Sequence, residues 1–310
     1  ASSLRARALS SWSNNLSSTA QQAVTLVMLV WGVYLIKDGL ITAGALVGAV
    51  MFAGRAIAPL GSVVSLATRY QGARAAMQSL DRLMKLPLER DAGRAYVARP
   101  RIQGALALKA ASFAYPPTGA DTAPKVLNQI NLEIQPGDRI AILGRIGSGK
   151  STLVRLLAGL YQPSEGRVEA DGVDLRQIDP ADFRASVGMV TQEPRLFSGT
   201  LRDNVLLGRV TAAAERLNPV ASLTGLDRVI AAHPLGWDLP VGERGALLSG
   251  GQRQLVALAR CLVTSPQILL MDEPTSSMDA QSEMVFLQRL KVAVGLRTLV
   301  VVTHRPAVLD

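Results

Sequence analysis

Gly144-Arg145-Ile146-Gly147-Ser148-Gly149-Lys150-Ser151 sets glycines, a lysine and a hydroxyl in the spacing G-x-x-x-x-G-K-[ST]. The glycines let backbone N–H groups approach phosphate oxygens. The helix that must follow adds its partial positive N-terminus. Lys150 then neutralises β- and γ-phosphates, and the Ser151 hydroxyl ligates Mg²⁺. The bland alternative is a glycine-rich loop with no ligand. Ile268-Leu269-Leu270-Met271-Asp272-Glu273 is a second pattern, four apolar residues releasing two carboxylates at a strand end. Asp272 is expected to hold Mg²⁺ through water and Glu273 to polarise an attacking water. Alone, any strand ending in Asp-Glu would read the same way. A third pattern is Leu248-Ser249-Gly250-Gly251-Gln252, a serine and two glycines opening a helix, which makes a second anion site. One nucleotide rarely needs two such sites. The economical reading gives Ser249, Gly250, Gly251 and Gln252 to the γ-phosphate of a nucleotide held by another subunit; the alternative is an ordinary serine-capped helix.

These groups need a frame. Residues 140–143 read as a strand before the glycine loop and residues 152–160 as a helix after it. Leu106 to Phe113 and Leu127 to Ile134 alternate as strands. Val187 to Thr191 reads as another strand, and Ile268 to Met271 and Thr298 to Val302 are continuous apolar runs, as expected of buried parallel strands. Residues 201–262 are mostly helical in pattern. The sequence therefore predicts an α/β domain with a helical insertion.

The first part of the chain is different. Ala20 to Ile36 and Ile41 to Leu60 are apolar runs separated by Lys37-Asp38-Gly39. At about 1.5 Å per residue each is just long enough to cross a bilayer, so a transmembrane hairpin is expected. Residues 62–84 read as a helical extension ended at Leu86-Pro87, and residues 86–103 as a linker. The net charge is +9, of which residues 1–90 supply +6, with nine Lys/Arg against three Asp/Glu. Arg5 and Arg7 flank one end of the hairpin and Arg69, Arg74, Arg82 and Lys85 the other. Both ends are thus expected on the cytoplasmic side, with Lys37 outside. Basic residues so placed argue for a membrane surface, and no nucleic-acid partner is expected. Gly44 and Gly48 form a G-x-x-x-G pair suited to close helix packing. Arg55 reads as a snorkelling side chain, with a substrate pathway as the alternative. A single cysteine, Cys261, forbids an intrachain disulfide and sits in an apolar helical run.

The glycine loop, Leu-Ser-Gly-Gly-Gln and Asp-Glu-Pro-Thr, in this order, resemble an ATP-binding cassette (ABC) domain from about residue 104 onward. The resemblance implies a P-loop NTPase with a parallel-sheet core, an antiparallel β subdomain and a helical insertion, using ATP and Mg²⁺. It implies that Gly144 to Thr152, including Arg145, Ile146 and Ser148, cradle the nucleotide and that Tyr115 stacks on adenine. It gives Gln192 a reach to Mg²⁺ and a sensing of the membrane part. It gives Asp279 a contact with the opposing subunit and His304 a contact with the γ-phosphate.

Val241-Gly242-Glu243-Arg244-Gly245 and N-terminal membrane helices resemble the exporter class. Gly144 to Gly147, Gly159 to Pro163, Asp171 to Ala181 and Gly54 to Leu60 resemble the type I secretion subgroup. That subgroup implies an ATPase of the bacterial inner membrane exporting a polypeptide, working as a head-to-tail dimer, here read as a homodimer, with a periplasmic adaptor and an outer-membrane channel. An exporter of lipid, drug or peptide and a soluble ABC ATPase acting on nucleic acid are the rivals. Residues 1–85 are expected to be a partial membrane domain and 104–310 a cassette, with both ends of the chain reading as truncated. Arg145 departs from the small polar residue common at its position.

Overall fold

The computed structural model describes residues 22–86, 88–90, 93–99, 101–116, 124–207 and 214–304, together with Thr19; of these, the side chains of residues 57–65 and 68 are not described. Arg5, Arg7, the start of the first apolar run at Ala20, Pro87 and Pro100 lie outside the described residues. The chain divides into two compact units, Ala1–Leu88 and Glu89–Asp310.

In the first unit a helix over residues 22–37 (α1) turns through 38–42 into α2 (Ala43–Met84), which is 42 residues long. Thr42 caps α2 by accepting the Ala45 N–H at 3.2 Å. The hairpin closes where Gly32 of α1 meets Leu46 of α2; a β-carbon on Gly32 would lie 2.2 Å from a Leu46 methyl. A β-carbon placed on Gly44 or Gly48 would meet no other part of the described residues within 4 Å outside its own stretch of helix backbone, so the G-x-x-x-G pair is not what packs these two helices. Large apolar side chains face outward along both, Trp31 being 67% and Phe52 75% exposed. Among the described residues, no helix is long and apolar enough to cross a membrane. The helical hairpin itself is present. The continuous α2 also joins the second apolar run to the charged extension in one element.

The second unit has two four-stranded sheets. One has the order β2-β1-β4-β5, built from β1 (Leu106–Phe113), β2 (Leu127–Ile134), β4 (Glu165–Ala170) and β5 (Val173–Asp174), all antiparallel. The other is parallel, in the order β3-β8-β7-β6: β3 (Arg139–Ile142), β8 (Thr298–Val302), β7 (Ile268–Asp272) and β6 (Val187–Val190). Every residue of β7 is buried, because it is a central strand covered on both faces. Helix α3 (Lys150–Leu157) lies against both sheets and puts Val154, Leu156 and Leu157 into one shared core with Leu106, Leu108, Leu270 and Val300. Fully burying one such leucine is worth about 1.5–3 kcal/mol, so α3 is fixed in place by the core.

A second core lies under the helical insertion: α5 (Leu201–Leu206), α6 (Leu217–Thr224) and α7 (Leu226–Ala231), with α8 (Gly250–Leu262) and α9 (Ala280–Val294) against it. Helix α4 (Pro180–Ser186) leads straight into β6. At the bulge in β1, Gly166 has φ +76°, and a β-carbon there would come within 2.3 Å of the Ala110 carbonyl oxygen, so only glycine fits. The described part of residues 89–105 is fastened to this unit. Arg90 pairs with Asp179 at 2.9 Å, Glu89 with Arg184 at 3.0 Å, and Val97 bridges Ile178. Asp171 accepts the N–H groups of Gln103 and Ala105 at 2.6 and 3.0 Å.

Candidate nucleotide site

Parallel strands share one carboxyl edge, and the residues that leave β3, β6, β7 and β8 are gathered there. From β3 the chain enters the glycine loop and then α3. Gly147 and Gly149 have φ of +81° and +88°. A β-carbon on Gly149 would meet a Leu127 methyl at 2.9 Å and the Val126 carbonyl oxygen at 3.2 Å, so both conformation and space require glycine. Lys150 donates from Nζ to the carbonyl oxygens of Gly144 and Arg145 at 2.9 and 2.8 Å, which lays its charge across the loop. The Ser148 N–H donates to the Arg145 carbonyl at 3.2 Å. Ile146 is almost fully exposed at the loop's tip.

Ser151, in the first turn of α3, donates from Oγ to Asp272 Oδ1 at 3.1 Å. Two hard oxygen donors thus meet beside the loop, a set that suits Mg²⁺. Asp272 is 3% exposed, and burial pushes its carboxyl above the usual carboxylate range; the Ser151 hydroxyl and the charges of Arg155 and Lys150 oppose that, while Glu273 reinforces it.

Glu273 follows with φ +47°, an unfavourable conformation for a residue with a side chain, and its N–H is fixed on the Val302 carbonyl at 2.9 Å. Its carboxylate is held from two sides. Gln192, just past β6, donates from Nε2 to Oε2 at 2.9 Å, and His304, just past β8, lies with Nδ1 3.2 Å from Oε1. Gln192 and His304, both expected to act with Glu273, therefore each contact its carboxylate.

Tyr115 is half-buried, 5.0 Å from the Phe113 ring and 5.6 Å from that of Tyr161, edge-on to both. Its hydroxyl is 2.9 Å from Thr152 Oγ1, which ties it to the helix of the phosphate loop, and Arg155 donates to it at 3.5 Å.

Ser249 caps α8 in a reciprocal box. Its hydroxyl accepts the Gln252 N–H at 3.2 Å, and Gln252 Oε1 accepts the Ser249 N–H at 2.8 Å. Gly250 packs on Ser277, where a β-carbon would fall 3.1 Å from the Ser277 carbonyl oxygen. Asp279 caps α9, accepting the Ser282 N–H and hydroxyl, each at 2.9 Å; these bonds hold its carboxyl below the usual range. Ser249, Gly251 and Gln252 line a cavity of about 300 Å³ with Met278, Gln281 and Arg289. No residue of the glycine loop lines it, so within one chain the two anion-type helix ends serve separate surfaces. Arg155 and Gln254 were not singled out by the sequence; each contacts a site residue at least 40 positions away, and no local pattern marks them.

Residues 127–276 match the ABC transporter family. The chain carries an ABC transporter ATP-binding domain. It is similar to the leukotoxin translocation ATP-binding protein LktB of Mannheimia glucosida, 38% identical over 285 residues, which is 92% of this chain and 39% of that protein. LktB of Mannheimia haemolytica is 37% identical over the same shares. A solved bacterial Atm1-family ABC exporter with ATP bound superposes with a TM-score of 0.67 at 32% identity, covering 92% of this chain and 49% of the other. The chain spans about two fifths of the length of the curated relatives it matches.

Proposed function

We propose that this chain supplies the ATP-hydrolysing cassette and part of the membrane domain of an exporter in the bacterial inner membrane, with a polypeptide as cargo. The observation that carries the hydrolytic part is the meeting of Ser151 with Asp272 and of Gln192 and His304 with Glu273 beside a glycine loop that bears Lys150. In this reading Gly144 to Thr152 wrap the triphosphate and Tyr115 offers its ring to adenine. Lys150 exchanges two loop carbonyls for β- and γ-phosphate oxygens. Ser151, Asp272 and Gln192 would hold Mg²⁺, which would neutralise charge on the phosphates. Glu273 accepts a proton from the attacking water, and His304 donates a hydrogen bond toward the γ-phosphate. Ser249, Gly250, Gly251 and Gln252 receive the γ-phosphate of the partner subunit's nucleotide, and Asp279 faces that subunit. The separate cavity at the signature helix supports this division between two copies.

Residues 1–85 are read as membrane helices with their extension, 86–103 as the connection and 104–310 as the cassette. The outward apolar side chains of α1 and the first part of α2, Trp31, Val47 and Phe52 among them, support a lipid or helix-lined setting. Similarity to the leukotoxin translocation proteins supports the polypeptide cargo; the periplasmic adaptor and the outer-membrane channel rest on the sequence's resemblance to the type I secretion subgroup. Likeness to an Atm1-family exporter supports the exporter class alone.

The test is Mg²⁺-ATP hydrolysis by the purified chain in detergent, alongside titration of a fluorescent ATP analogue. Lys150→Ala is expected to weaken nucleotide binding by about 2–4 kcal/mol, the loss of charge-assisted phosphate contacts. Unchanged affinity would mean that the glycine loop is not the phosphate cradle.

A further inference from the structure

Gln254 sits one turn into α8, behind the Ser249 cap, and is completely buried. Its side-chain Nε2 donates to the Gln192 carbonyl oxygen at 2.9 Å and to the Thr191 carbonyl oxygen at 3.4 Å. Among the described residues its Oε1 has no hydrogen-bond partner. Turning the amide over would set Oε1 against two carbonyl oxygens, so its surroundings demand the donor orientation. A buried amide oxygen without a partner costs free energy that an apolar residue of the same size would avoid. What the amide gains at this position is its N–H donors, and they are aimed at the backbone carbonyls of two successive residues, most closely at the second. That residue is Gln192, whose own side-chain amide donates to Glu273 Oε2 at 2.9 Å.

We propose that Gln254 is a positioning residue for ATP hydrolysis: it anchors the Gln192 backbone to the signature helix, so that the Gln192 amide meets Glu273 only while α8 holds its place. The proposal rests on the hydrolytic reading above. Its physical content is a two-step tether. Helix α8 is a rigid element with Ser249, Gly250 and Gly251 at its N-terminus and Gln254 on its buried face. A phosphate drawn against the N-terminus tilts or shifts the helix as a body, and Gln254 carries that displacement to the loop after β6. The signature of one chain then bears on the hydrolytic carboxylate of the same chain, which faces a different nucleotide from the one the signature touches. Occupancy of one site is thereby linked to catalysis at the other through three side chains.

Gln254→Met keeps the length and apolar stem while removing the donors. In the detergent-solubilised chain, kcat is expected to fall about tenfold with the KM for ATP unchanged, the size of one lost hydrogen bond to a positioned group. The discriminating measurement is the same substitution beside Gln192→Ala. If Gln254 acts through Gln192, the double variant hydrolyses ATP at the Gln192→Ala rate. Gln254→Glu is the second variant. Its protonated carboxyl still donates one hydrogen bond, whereas the ionised form repels both carbonyls. Its rate relative to wild type is therefore expected to recover as pH falls, and to lose that pH response on the Gln192→Ala background.

Deuterium exchange of residues 187–196 reads the tether without turnover and should accelerate in Gln254→Met. A wild-type chain that does not hydrolyse ATP would contradict the hydrolytic reading while leaving exchange to decide the tether. Full kcat in Gln254→Met, an equal loss on both backgrounds, or unchanged exchange at 187–196 would each overturn the proposal. If Gln254→Met does not fold, a Gln254→Glu rate that ignores pH overturns it equally.

Discussion

Glu273 is held by Gln192 on one oxygen and His304 on the other, while its backbone is bent into a conformation that favours glycine. A carboxylate held at both oxygens on a bent backbone is fixed in direction, as a general base aimed at a single water must be. Its neighbour Asp272 differs in burial, and this has a measurable consequence. Burial raises its folded-state pKa above the unfolded value, so the folded protein binds the proton more tightly. Stability from this group is therefore present at low pH and lost as pH rises from about 4, the ordinary aspartate range, through the raised value. In the absence of Mg²⁺ and nucleotide, Asp272→Asn should gain melting temperature relative to wild type as pH rises through that window. A constant difference between the two proteins would contradict the assignment. Cys261 makes the complementary case. Burial pushes its thiol up to about 12, and its Sγ donates to the Met189 carbonyl at 3.1 Å. Native protein at pH 8 should resist iodoacetamide and react only in denaturant; rapid native alkylation would show that α8 opens readily.

Two helices carry the site, and each is anchored by a different means. Helix α3 is fixed by its core contacts: Leu156 is fully buried between the sheets, and Leu156→Ala should cost about 2–5 kcal/mol in a urea midpoint measurement. Helix α8 is fixed at its start by the Ser249–Gln252 box. Ser249→Ala should destabilise by about 1 kcal/mol even without nucleotide, a loss separable from any effect on turnover by measuring both. The strands that position these helices were readable wherever burial imposes one pattern. Residues 106–113, 127–134 and 298–302 form strands over the ranges that their alternating or continuous apolar residues predict. Strand β4 escaped because Glu-Gly-Arg-Val-Glu-Ala is half solvated, and Gly166, required by the bulge, reads as a turn. Helix α9 escaped because exposed Met284 and Val292 blur the apolar stripe formed by Phe286, Leu290 and Val294. The glycine loop, the signature and Asp272-Glu273 are local and were legible. The Tyr115–Thr152 contact and the Gln254 tether join distant segments and have no local trace.

At the scale of the molecule, an apolar hairpin precedes a two-sheet cassette in one chain, and the first 90 residues supply +6 of the net charge of +9. If α1 and α2 enter a bilayer with both ends cytoplasmic, a single cysteine placed near Lys37, after replacement of Cys261, should be labelled by an impermeant reagent from outside. Labelling from the cytoplasmic face alone would refute that orientation. Glu273→Gln tests whether Glu273 activates water at a nucleotide shared by two copies of the chain. Glutamine keeps the shape and still allows ATP to bind, while the chemical step should slow by about 10²–10⁴-fold, the usual worth of a general base. Loss of one negative charge near the triphosphate also eases closure of the pair. Size-exclusion chromatography with light scattering, with and without Mg²⁺-ATP, reads the outcome directly. An ATP-dependent dimer of the variant that does not turn over is expected, whereas a folded variant that binds ATP, stays monomeric and hydrolyses at the wild-type rate would contradict this role of Glu273.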